Sequence, residues 1–189
     1  MSKKRDRLND AASKGSLEMV NWLMFVCPDE YRQKADQETL NRAAYSGNIE
    51  LFKWLLCMCR QQEKQVPNQD TFNMAARSGN VQMLSWLWDS VVVGPQFKVT
   101  QKTLILAARS GNIECVNWVL VKNAKLAVAK KVWMAACESG NIELLNGLRE
   151  KEGLKVRVYA NEGMMDAAIA SGNFKCVKWV QEYCKKKSE

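Results

Sequence analysis

The stretch Leu40-Asn41-Arg42-Ala43-Ala44-Tyr45-Ser46-Gly47-Asn48-Ile49-Glu50-Leu51-Phe52-Lys53-Trp54-Leu55 decides how this chain is read. Leu40, Ala43 and Ala44 stand at i, i+3 and i+4, one face of a short helix. The small alanines let a neighbouring helix approach closely. Gly47 predicts the end of that helix, because glycine takes positive φ without a Cβ penalty. Asn48 then suits an N-cap, and Glu50 places negative charge in the first turn of a second helix. Ile49, Leu51, Phe52, Trp54 and Leu55 give that helix a wide apolar face. The stretch predicts a helix, a tight turn and an antiparallel helix.

The same small-small-x-Ser-Gly-Asn signature, full or degraded, recurs around Gly15, Gly47, Gly79, Gly111, Gly140 and Gly172. Four of the five spacings are 32 residues and one is 29. Such a period means stacked supersecondary units that each touch only their neighbours. Two residues after each glycine stand Leu17, Ile49, Val81, Ile113, Ile142 and Phe174. Five after it stand Val20, Phe52, Leu84, Val116, Leu145 and Val177, and eight after it Leu23, Leu55, Leu87, Val119, Leu148 and Val180. Seven after it come Trp22, Trp54, Trp86, Trp118 and Trp179, with Gly147 in the fifth copy. A two-helix unit cannot bury its apolar face alone, so all four positions are expected in the core between units. The tryptophans resemble a stacking ladder for a ligand, but helical spacing favours packing, with each indole N–H needing a partner. Gly147 and the short spacing predict local irregularity in the fifth copy. Residues 1–189 read as a single all-α domain of six repeats.

Composition agrees with a folded chain, at 47% hydrophobic and 25% charged residues. No stretch approaches the roughly 18 apolar residues of a membrane span, and the start shows no secretory signal. The seven cysteines are odd in number and include no Cys-x-x-Cys pair. They predict buried small hydrophobes in a reducing, intracellular compartment (cytoplasm or nucleus). Residues 1–94 hold 12 Lys/Arg against 11 Asp/Glu, and residues 95–189 hold 16 against 9, so +1 and +7 make the net +8. The basic C-terminal half could draw acidic protein, nucleic acid or lipid headgroups, or simply be a solvated surface.

The chain contains no histidine. That excludes Ser-His-Asp and Cys-His catalysis and imidazole zinc ligands together. Cys57-Met58-Cys59 lacks a second ligand pair, and no glycine-rich phosphate loop appears. Glu18, Glu50, Glu114 and Glu143 are first-turn helix residues that answer the helix dipole. No enzyme, cofactor or metal is expected.

The repeated residues resemble ankyrin repeats, whose pattern runs Thr-Pro-Leu-His-x-Ala-Ala-x-x-Gly-His-x-x-hydrophobic-Val-x-x-Leu-Leu over about 33 residues. Leu40 to Ala44 corresponds to Leu-His-x-Ala-Ala, Gly47-Asn48 to Gly-His, and Trp54-Leu55 to Leu-Leu. The resemblance runs from about Arg7 to about Tyr183. The tryptophan form, with Cys27-Pro28 after the second helix, is similar to the divergent repeats abundant in large DNA viruses and protists. Thr39, Thr71 and Thr103 stand where the family has proline, and Asn9, Asn41 and Asn73 where it has histidine. The Gly-Ala-Asp lead into a β-hairpin finger is missing, so fingers reduced or absent are expected. Val91–Val99 and Leu154–Tyr159 alternate enough to be short extended pieces.

The resemblance implies an ankyrin-type α-solenoid that binds another protein on its concave first-helix face, a virus-encoded or protist interaction protein acting inside the cell. The residues flanking the small pair on each first helix are expected on that face: Asp10 and Ser13, Arg42 and Tyr45, Met74 and Arg77, Leu106 and Arg109, Ala135 and Glu138, Ala167 and Ala170. Of these, Arg42, Tyr45, Met74, Arg77, Leu106, Arg109 and Glu138 form the candidate partner-binding stripe, because Tyr and Arg are enriched at hot spots and exposed apolar residues invite a partner. Two other readings remain: nucleic-acid binding through the basic half, with Arg42, Arg77 and Arg109 on phosphates, or a structural subunit of a virion-like assembly. A monomer is expected, with no membrane partner.

Overall fold

The computed structural model describes residues 2–62, 66–90, 97–152 and 162–185. Both candidate extended pieces fall chiefly on 91–96 and 153–161, outside the described residues. Every regular element among the described residues is helical, and they come in pairs. The contacts between them divide the chain into two compact units, Met1–Lys98 and Val99–Glu189.

The first unit holds three pairs. Helix α1 (Ser2–Ser13) precedes α2 (Leu17–Asn21), which continues as a π-helical turn over Trp22–Val26. Then come α3 (Gln37–Ser46) with α4 (Ile49–Gln62), and α5 (Gln69–Ser78) with α6 (Val81–Asp89). The first helices stack side by side, α1 on α3 and α3 on α5. The second unit repeats this with α7 (Gln101–Arg109) and α8 (Ile113–Lys122), α9 (Lys130–Ser139) and α10 (Ile142–Glu152), and α11 (Glu162–Ala170) and α12 (Phe174–Lys185). Here α7 packs on α9 and α9 on α11.

Each expected turn glycine has positive φ, between 68° and 79°. The following Asn caps the second helix, Asn80 Oδ1 accepting from Met83 N at 2.8 Å and Asn141 Oδ1 from Glu143 N at 2.8 Å. The same side chain has a second task. Its amide donates back to the turn-glycine carbonyl of the preceding pair: Asn48 to Gly15 at 3.0 Å and Asn80 to Gly47 at 3.4 Å in the first unit, Asn141 to Gly111 at 2.9 Å and Asn173 to Gly140 at 2.7 Å in the second. One residue thus ends the turn of its own pair and fastens the pair to its neighbour.

The threonines in place of proline have a similar double role. Thr39, Thr71 and Thr103 are the N3 residues of capping boxes with Asp36, Asn68 and Thr100. Thr39 also donates to Asn9 Oδ1 at 2.8 Å and Thr71 to Asn41 Oδ1 at 2.7 Å, across adjacent first helices. A proline could supply neither bond. The asparagines in the family's histidine position are the acceptors of this ladder. Among the described residues, glutamine side chains hold connecting segments: Gln69 Nε2 donates to Lys98 O and its Oε1 accepts from Lys98 N, both at 2.9 Å, and Gln101 donates to Ala127 O at 2.9 Å.

Apolar burial follows the repeat only in part. Positions five and eight after the glycine are buried almost throughout, Val177 excepted, as are Leu51, Met83, Cys115, Leu144 and Cys176 four after it. The tryptophan column differs from expectation. Trp54, Trp86 and Trp118 are half-buried, Trp22 is 43% exposed, and only Trp179 is buried. The position two after the glycine is likewise half-buried, and Phe174 there is exposed. The cause is helix geometry: positions 4, 5 and 8 share one narrow face, while 2 and 7 lie at its margins. Two of the marginal tryptophans instead meet an aromatic of the preceding pair edge-on, Phe25 to Trp54 at 6.0 Å and Phe52 to Trp86 at 5.7 Å. Trp179 donates its indole N–H to Asn146 at 2.9 Å, whereas the fully buried Trp133 N–H has no partner among the described residues.

Helix α10 runs unbroken through Gly147. Ile113 fills the space that a side chain there would occupy, so this residue marks tight packing and not a loose copy. The short 29-residue spacing is absorbed in the connection over 123–129. The irregular helix is instead in the first pair, where Cys27 N bonds Trp22 O at 2.9 Å in π fashion before Pro28 ends it.

Candidate binding surface

In the first unit the candidate stripe lies on α3 and α5. Tyr45 is 39% exposed, Arg77 is exposed, and Arg42 and Met74 are half-buried. Arg42 Nε holds Glu38 Oε1 at 2.7 Å, one turn back on α3. Arg77 has no ion-pair partner among the described residues. In the second unit Leu106 and Glu138 are half-buried and Arg109 is exposed. Arg109 of α7 bonds Glu138 of α9 at 2.7 Å. Within each unit the stripe residues sit on neighbouring first helices, so the chain brings together Arg42, Tyr45, Met74 and Arg77, and separately Leu106, Arg109 and Glu138.

Two flanking positions are not on open surface. Ala135 is 1% and Ala167 6% exposed, because α9 and α11 replace the bulky flank with a methyl that the adjacent helix covers. Asp10 is tied to Lys14 at 2.7 Å.

These carboxylates change the charge reading. Two of the three arginines already face a carboxylate at charge-assisted hydrogen-bond distance. Each carboxylate offsets the positive charge that a phosphate backbone would seek, while an apolar or tyrosine-binding partner has no need of that charge. No group of three or more acidic or cysteine side chains that could hold a metal occurs among the described residues, and no described helix is long and apolar enough to cross a membrane. Cys27, Cys115, Cys137 and Cys176 are buried free thiols, and Cys57 is exposed. Burial pushes the Cys115 thiol up to about 12, which leaves it protonated and unreactive at neutral pH. A hydrogen bond from Cys137 holds Cys176 lower than an ordinary thiol.

One surface was not anticipated. Beside the first pair lies a cavity of about 670 Å³ lined by Arg7, Asp10, Lys14, Met19, Trp22 and Tyr31 among others. The Arg7 guanidinium stands 5.7 Å from the Tyr31 ring centroid. The sequence signals were Ser16, in place of the asparagine after the other five turn glycines, and Trp22 counted as core.

The comparisons with known proteins agree with this architecture. Residues 40–130 match the family model of ankyrin repeats, in three copies. The crystal structure of the human ASB11 ankyrin repeat domain is similar in fold, with a TM-score of 0.53 at 17% identity, over 94% of this chain and 83% of that one. No curated protein matches by sequence. With its paired helices, left-handed turn glycines and repeat-to-repeat packing, the chain carries ankyrin repeats over residues 40–130 and has the fold of an ankyrin α-solenoid.

Proposed function

We propose that this chain is a non-enzymatic scaffold that binds a protein partner through the outward face of its first helices. Ankyrin repeats are in general protein-interaction modules, and the residues offered for recognition are those the architecture leaves unused. The observation that carries the reading is the composition of that face: Tyr45, Met74 and Leu106 provide partly exposed apolar and aromatic surface, and Arg42 and Arg109 are balanced by Glu38 and Glu138. Such a mixture suits a protein surface better than a polyphosphate backbone. The tryptophan-bearing repeat form favours a virus-encoded or protist protein working inside a host cell, and the array reads as one domain of six repeats.

Affinity capture from host-cell lysate tests the reading, with the native chain compared against Tyr45→Ala/Arg77→Glu/Arg109→Glu. Loss of captured proteins with retained helix content supports the first-helix face; unchanged capture removes it. Filter binding of nucleic acid across a salt series checks the alternative, which requires affinity at low salt that falls steeply as salt rises.

A further inference from the structure

The first helix pair bares a surface that every later pair keeps covered. Four residues after the turn glycine, Leu51, Met83, Cys115, Leu144 and Cys176 are fully buried, whereas Met19 is 49% exposed. Seven after it, Trp54 and Trp86 each receive an aromatic edge from the preceding pair, and Trp22 is 43% exposed beside Tyr31, itself 40% exposed. Between them opens the cavity of about 670 Å³. We propose that this groove docks an acidic amphipathic helix of a partner protein, with an aromatic side chain set against Trp22 as Phe25 and Phe52 are set against Trp54 and Trp86.

Continuity with the stacking interface identifies a helix as the occupant. Inside the first unit the partner of each such tryptophan is the preceding pair's second helical segment: Phe25 lies in the π-helical turn and Phe52 in α4. Another ankyrin-type repeat fits the groove less well. Ser16 caps its helix by accepting from Met19 N at 3.3 Å, as the asparagines cap theirs. Its hydroxyl is too short to reproduce the amide bond that fastens one pair to the glycine carbonyl of the pair before it. The rim is charged, with Arg7, Asp10 and Lys14, where a buried repeat junction would be apolar.

Charge identifies the chemistry of that helix. On the described rim Lys14 is tied to Asp10 at 2.7 Å, which leaves Arg7 as the groove's uncompensated cation among the described residues. A second copy of this chain is a poor occupant. Its last pair offers Ile169, 60% exposed, at the position where Ala12, Ala44, Ala76, Ala108 and Cys137 allow close approach, and adds Lys175 and Lys178. An acidic helix gains from steering and from Arg7, which no described carboxylate pairs. This surface is separate from the first-helix stripe, and the proposal does not depend on it.

The probe is a helix-stapled, fluorescein-labelled peptide of residues 48–62 with Lys53 and Arg60 changed to Glu and both cysteines to Ala. Its basic twin carries Lys at 50, 53 and 60. Fluorescence anisotropy should show saturable binding of the acidic peptide to the full chain. Trp22→Ala, or Phe52→Ala in the peptide, should weaken it roughly tenfold or more, as truncation of an aromatic anchor does. Arg7→Glu/Lys14→Glu should reverse the preference toward the basic twin, and Tyr45→Ala/Arg77→Glu should leave binding unchanged. Trp22 is partly exposed, and helix content by circular dichroism confirms that each variant folds. Absence of saturable binding up to about 1 mM, equal binding of both twins, or indifference to Trp22→Ala overturns the proposal. So does a concentration-dependent dimer, seen by sedimentation and abolished by Trp22→Ala, which would assign the groove to a second copy.

Discussion

Replacing Asn141 by Ser separates the two tasks of the asparagine that follows each turn glycine. In the native chain Asn141 Oδ1 accepts from Glu143 N and Leu144 N at 2.8 and 3.2 Å, and its amide donates to Gly111 O at 2.9 Å. Ser16 shows that a serine here keeps the cap, so Asn141→Ser removes only the bond between pairs. A neutral hydrogen bond contributes about 0.5–1.5 kcal/mol net, and Gly111 is a buried residue, so about 1 kcal/mol is expected. Asn141→Ala loses the cap as well, worth about 1 kcal/mol, for a total of about 2. Urea unfolding followed at 222 nm reads this as a midpoint decrease of about 0.3–0.5 M for Ser and about twice that for Ala, at an m-value of about 2–3 kcal/mol/M. Ser16→Asn is the control, because Asn and Ser cap about equally and no described glycine carbonyl precedes it; its midpoint should stay unchanged. Equal losses for Asn141→Ser and Asn141→Ala would mean that the inter-pair bond accounts for the whole effect and that the cap contributes nothing. No loss for Ser would refute the double role outright.

Other variants probe the same physics elsewhere. Gly47→Ala should cost more than Gly172→Ala in urea midpoint: both have positive φ, but a Cβ at Gly47 collides with the Asn80 amide, whereas at Gly172 it meets nothing within 4 Å. The φ penalty alone is about 1–2 kcal/mol. Cys115 gives stability a pH dependence above neutrality. The unfolded thiol releases its proton above the ordinary 9.0 while the folded one holds it to about 12, so the contribution is complete below pH 9 and falls by about 1.4 kcal/mol per unit between those values. Unfolding at pH 8 and 10.5 should show that slope diminished in Cys115→Ala. Alkylation at pH 8 with mass mapping should modify Cys57 quickly and Cys27, Cys115, Cys137 and Cys176 slowly. Glu138→Gln should shift the urea midpoint by less than about 1 kcal/mol equivalent, since its pair with Arg109 is a surface one.

What was legible in the sequence was whatever repeats. The turn glycines, capping asparagines and alanine pairs are dictated by backbone geometry within one pair, and six copies expose that code without any coordinates. The inter-pair bonds were not legible, because they join residues 30 or more apart and nothing in a single repeat says that a capping side chain also reaches outward. The tryptophans were misplaced for a related reason. Apolarity at a fixed position marks contact with a neighbour, but a margin covered by one aromatic edge and a core covered on all sides leave the same letter in the sequence. The stripe residues were found as an outward-facing set, yet the carboxylates facing Arg42 and Arg109 were not: Glu38 lies one turn away and Glu138 is 29 positions on.

The first and last helix pairs are unlike, and the chemistry of each tells what it can accept. At the last pair, Ile169 and Phe174 are large, exposed and flanked by Lys175 and Lys178. Ile169 stands where stacking needs a small residue, so the last pair opposes stacking of its own kind. At the first pair the stacking residues are retained: Ala11 and Ala12 are buried, and Met19 and Trp22 keep the apolar character of their counterparts, which are buried at the Met19 position and mostly half-buried at the Trp22 position. Only the fastening asparagine has changed, to Ser16. An end that served solubility alone would have replaced Met19 and Trp22 with polar residues, as terminal capping repeats do. Retaining the apolar groove while removing the bond specific to a repeat junction selects a helix held by side-chain packing and charge. Met19→Glu/Trp22→Glu should therefore leave the urea midpoint nearly unchanged and abolish peptide binding; a large loss of stability would show that the groove serves the fold of the first pair instead.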